Sequence, residues 1–97
     1  MAQVTQAVTE KVEHLLSYLF GVWGQDLPEM AAEWDGMDRY ERNDFLLDWP
    51  VAESYTDLIA EYAEQDILTS AQRERYDALL ALIAANRPIL NKLMEGW

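Results

Sequence analysis

One histidine, no cysteine and eighteen carboxylates are the residues of this chain that could do chemistry. A metal site needs several ligands, and a lone His14 with no thiolate supplies too few. The Glu-x-x-His spacing of carboxylate-bridged di-iron bundles is absent, because Lys11 stands three residues before His14. A histidine base would need a nucleophile beside it, and nothing distinguishes Ser17, Ser54 or Ser70 for that role. Asp35-Gly36-Met37-Asp38, with Glu41 and Asp44 after it, has the acids of a calcium loop. It lacks the alternating acids before the glycine and the glutamate six residues after it. Acid pairs can run hydrolysis, yet these acids are too many and too evenly spaced to single out a pair. No glycine-rich phosphate loop is present. The chain is therefore expected to be neither an enzyme nor a holder of a metal or other cofactor.

What the acids do have is an uneven distribution. Thirteen of the eighteen fall between Asp26 and Asp66, against two bases there, Arg39 and Arg42. The rest of the chain balances five acids with five bases, so the net charge of −11 sits in the middle. Such a charge repels nucleic acid and anionic lipid, and it favours a basic partner. Glu53, Asp57 and Glu61 recur every four residues, a row of like charges that costs local stability. Glu61, Glu64 and Asp66 crowd a helix C-terminus, where the macrodipole disfavours anions. Rules broken this consistently point to a site, the alternative being a solvated face that keeps the chain in solution.

The expected partner-binding residues are Asp44, Asp48, Glu53, Asp57, Glu61 and Glu64, with Trp34, Tyr40 and Trp49 as aromatic anchors. Their expected partner is a basic protein surface, as for an inhibitor or immunity protein. One form of this is mimicry of nucleic acid in the groove of a nucleic-acid-binding protein, since carboxylates on successive helix turns approach the spacing of phosphates. The alternative is a structural or assembly subunit that forms a homo-oligomer through Leu15–Trp23 or Ile89–Trp97.

These residues need elements to hold them. The 97 residues suit one domain, 1–97, and an apolar content of 51% supports a folded core. Apolar residues at Val4, Val8, Val12, Leu15, Leu16, Leu19, Phe20 and Trp23 follow the helical period. Gly21 and Gly24 should end that helix. Asp26 and Pro28 then read as the start of a short helix that Gly36 stops, and Asp38 as the cap of another. The pairs Asp35/Arg39 and Asp38/Arg42 are spaced to neutralise each other. Pro50 should bend the chain and let Asp48 cap a new helix, burying Val51, Tyr55, Leu58, Ile59 and Tyr62. Thr69 and Gln72 form a capping box. The helix behind it buries Tyr76, Leu79, Leu80, Leu82 and Ile83 until Pro88 interrupts it. A last short helix offers Ile89, Leu90, Leu93 and Met94, with Trp97 at the terminus.

The expected fold is all-α, a compact bundle of five or six helices. The long ones fall at about 3–23, 49–65 and 70–87. No run reaches the ~20 apolar residues of a membrane span, and no secretory leader is visible. A chain without cysteine suits a cytoplasmic setting.

Overall fold

The computed structural model describes residues 5–95. It is all-helical, and among the described residues there is no strand. The helices are α1 (Gln6–Gly21), α2 (Leu27–Glu33), α3 (Arg39–Glu64) and α4 (Ser70–Glu95). A π-helical turn, Val22–Asp26, joins α1 to α2 without a break, and a 3-10 turn, Trp34–Gly36, ends α2. The described residues therefore form three long helical pieces: the α1–α2 rod, α3 and α4. The count of five or six helices is corrected to three.

The break expected at Gly36 is present, whereas those expected at Gly21–Asp26, Pro50 and Pro88 are absent, each for a physical reason. Gly21 keeps helical angles, φ −63° and ψ −48°, and Asp26 is likewise helical and makes no side-chain cap. Pro28 has no N–H to continue the ladder, and the chain answers by widening. The Leu27 amide reaches back five residues to the Val22 carbonyl. The Trp23 carbonyl, for which Pro28 has no hydrogen to offer, accepts instead from the Asn86 side-chain amide at 2.7 Å. A π-bulge is one of the ways a helix absorbs such a mismatch. Pro50 and Pro88 lie inside 26-residue helices. The carbonyls they leave without a donor belong to half-buried Leu46 and exposed Ala84. Asp48, expected as a cap, is an interior residue of α3.

Other local expectations are met. Asp38 caps α3, its Oδ1 accepting from the Glu41 amide at 2.9 Å. Thr69 and Gln72 exchange reciprocal side-chain-to-backbone bonds, both 3.1 Å. A cap missed in the sequence is Thr5, which accepts from the Val8 amide. Asp66 turns the chain toward α4 with a positive φ of 58°, a conformation Asp tolerates better than most residues.

Cross-helix contacts set the topology. Trp34 meets Phe45, Trp23 meets Trp49, Tyr18 meets Tyr55, and Lys11 lies over Tyr62, so α3 runs antiparallel to the rod. Gln72 binds the Thr9 carbonyl and Glu13, Arg75 pairs with Glu13, and Asn86 meets Trp23, so α4 runs parallel to the rod. The result is an up-down-up bundle, extended rather than compact at 50 × 21 × 17 Å. Its core is Val12, Leu15, Leu16, Leu19, Val22, Trp23 and Leu27 of the rod and Trp34 after it, with Trp49, Ala52 and Ile59 of α3 and Tyr76, Leu79, Ile83, Leu90 and Leu93 of α4.

Three core expectations, Val51, Tyr55 and Leu80, are reversed. Val51 and Tyr55 are exposed, because α3 continues through Pro50 in one phase and turns Trp49, Ala52 and Ile59 inward. Leu80 and Met94 are exposed on α4, while Leu58, Tyr62, Leu82 and Ile89 are half-buried. Val4 and Trp97 lie outside the described residues.

Candidate partner-binding site

Of the three aromatic anchors, only Tyr40 is available to a partner. It is 82% exposed on the first turn of α3. Trp34 and Trp49 are 7% and 3% exposed and belong to the core, which corrects their expected role. Trp49 stacks edge-on against Trp23 at 4.9 Å and tilts over Phe45 at 5.5 Å. Phe45 in turn meets Trp34 at 6.0 Å, which completes an aromatic seam between α3 and the rod.

Glu53, also expected at the partner surface, is engaged within the bundle. It faces α4, where its carboxylate takes both arms of the Arg87 guanidinium at 3.0 and 3.3 Å. It accepts from the Trp49 indole at 3.0 Å as well. Arg87 lies over the Trp23 ring, 4.8 Å from its centroid. Partial burial alone would raise the Glu53 pKa. The hydrogen bonds from Arg87 and Trp49, with the Arg87 charge, outweigh it and hold the carboxyl below the usual glutamate range. Glu53 is thus a structural tie between α3 and α4.

Asp44, Asp48, Asp57, Glu61 and Glu64 are all exposed on α3, and none is ion-paired among the described residues. The expected pairs of Arg39 and Arg42 with Asp35 and Asp38 do not form. Arg42 instead donates twice to the Trp34 carbonyl, at 2.9 and 2.6 Å, and packs over the Trp34 ring. It closes the end of α2, where free carbonyls gather and a cation is favoured.

What the sequence did not bring together is a groove of about 260 Å³ between the rod and α3. Its floor is Val22, Met30, Phe45, Trp49 and Ala52, and its rim carries Asp26, Glu29, Glu33 and Asp48 beside Tyr18. The four rim acids have no ion-pair partner among the described residues. Tyr18 beside the groove has its pKa raised, first by burial and then by the charges of Tyr55, Asp26 and Asp48. Asp26, Glu29 and Glu33 share a face because the helix runs unbroken through Pro28. Their spacing of three and four was visible in the sequence, but Asp26 and Pro28 read as a helix start concealed it.

The remaining chemistry is sparse. His14 is exposed on α1. Among the described residues no group of three or more His, Cys, Asp or Glu side chains could hold a metal ion, and no helix is long and apolar enough to cross a membrane. Leu15, Leu16, Leu19, Val22 and Trp23, expected as one self-association face, are buried within the bundle, as are Leu90 and Leu93 of the other. No family model, curated protein or solved structure matches the chain.

Proposed function

We propose that this chain is a non-catalytic acidic module that binds a basic surface on another macromolecule. Inhibition or immunity would be the outcome of that binding, and a nucleic-acid-binding protein is one such target. A reducing, cytoplasmic setting suits a chain without cysteine.

One observation carries the proposal: four unpaired carboxylates rim an apolar, aromatic-floored groove. Like charges gathered without counter-ions oppose folding, and a cationic group entering the groove relieves that repulsion. Lys and Arg side chains fit such a place, with an apolar stem for the floor and a charged head for the rim. Asp44, Asp57, Glu61 and Glu64 extend the same negative field along α3 and would steer a basic partner on approach.

The test is titration with an arginine-rich peptide at low and high salt, alongside the variant Asp26→Asn/Glu29→Gln/Glu33→Gln/Asp48→Asn. Binding should weaken as salt rises, and the variant should lose about tenfold or more in affinity while keeping its helical circular dichroism. A folded variant that binds as well as the parent would remove the groove from the proposal.

A further inference from the structure

The outer face of α3 carries a second apolar row, pointing away from the bundle. Tyr40, Leu47 and Val51 are 82%, 67% and 49% exposed. With Asp44, Ser54 and half-buried Leu58 they fall at 40, 44, 47, 51, 54 and 58, alternating steps of four and three. That is the seam of a coiled coil, in which such positions point at one partner helix. Tyr55, against Tyr18 at 5.4 Å, borders the seam on the side of the groove.

The flanks decide what can cover it. Glu41 and Asp48 line one side, and Asn43, Pro50 and Asp57 the other, with Glu64 one heptad beyond, and all six are exposed. These are the positions that face across to a partner helix and set its identity. A second copy of this chain would bring acid against acid on both flanks and Asp44 into the seam, which disfavours self-pairing. A helix with apolar residues along one face and Lys or Arg on both sides meets complementary charge at each of those acids. Asp48 belongs to this flank and to the groove rim, so the two surfaces are continuous.

Resting on the basic-partner reading above, we propose that the partner presents an amphipathic helix, apolar along one face and basic on both flanks, which docks lengthwise on α3 over Tyr40, Leu47 and Val51. The row from Tyr40 to Leu58 runs about 27 Å along the helix, long enough for two to three heptads of a partner.

The experiment uses two synthetic peptides of identical composition and charge. One is a helix of about four heptads with Leu at the seam positions and Lys at both flanks. The other is its shuffled sequence, with no apolar face. Each is titrated at low salt, by fluorescence anisotropy, into the parent protein and into the exposed double variant Leu47→Ala/Val51→Ala. The patterned peptide should bind the parent at least about tenfold more tightly than the shuffled one. The double variant should erase that difference and leave binding of the shuffled peptide unchanged. Equal affinity for the two peptides overturns the helical partner while leaving the electrostatic reading standing. Absence of binding by either overturns both. Sedimentation of the parent alone as a dimer that the double variant dissolves would assign the seam to a second copy and overturn the proposal.

Discussion

At the scale of single residues, Glu53 shows how a charge can change meaning between sequence and structure. By spacing it opens an acidic row with Asp57 and Glu61. In the fold it sits between Trp49 and Arg87, satisfied on both sides. Replacing it with Gln keeps the shape and an oxygen for the Trp49 indole, but leaves Arg87 without its counter-charge beside Trp23. Because the pair is partly exposed, the loss should be modest, about 0.5–1.5 kcal/mol at neutral pH. The pH dependence has a definite sign. A glutamate whose native pKa lies below its ordinary value stabilises the fold above that value, and the contribution fades as pH falls through the lower native one. Urea unfolding of parent and Glu53→Gln should therefore differ above pH 4.5, the ordinary value. The two curves should draw together in stronger acid. A gap that stays constant into acid would mean that the charge of Glu53 is not what stabilises the contact.

At the scale of elements, the all-helical class, the Asp38 cap and the Thr69–Gln72 box were legible because local hydrogen bonding decides them. Helix continuity was not, because it depends on what lies opposite. The Trp23 carbonyl next to Pro28 is answered by Asn86, 63 residues away, and no local pattern announces that partner. The groove acids Asp26, Glu29 and Glu33 are not legible as a set for the same reason, and on α3 continuity through Pro50 leaves Val51 and Tyr55 outward while Ile59 is buried as expected. Gly21 gives a direct test of continuity. Its backbone is helical and a Cβ there would meet nothing within 4 Å. Gly21→Ala should therefore stabilise the protein by about 0.5–1 kcal/mol, read as a rise in thermal midpoint. A fall would mean that this junction needs the freedom of glycine and that α1 and α2 move as separate helices. Gly24 differs, since its Cβ would come within 3.1 Å of Leu82, where α4 crosses the π-turn.

At the scale of the molecule, folding and binding should answer to salt in opposite directions. The chain carries a net charge of −11, concentrated between Asp26 and Asp66, and bringing those residues together costs free energy through mutual repulsion. Among the described residues three ion pairs pull the other way, Arg73–Asp77, Arg75–Glu13 and Arg87–Glu53. All are at least a third exposed on one partner or both, and such pairs are worth at most about 1 kcal/mol each. Screening removes attraction from three contacts but repulsion from a much larger set of unpaired acids, so the repulsive side should dominate. Raising sodium chloride from low to about 0.5 M, where the screening length is only a few ångströms, should stabilise the fold by about 1 kcal/mol, or about 4–8 °C in the thermal midpoint for a chain of this length. Chloride is the right anion, because sulfate would add stabilisation through exclusion from the protein surface. Affinity for a basic helix should fall over the same range, since the same unpaired acids that oppose folding attract the partner. A thermal midpoint that drops with salt would show that local pairs outweigh the net field, and unrelieved acidity would then no longer favour a basic partner.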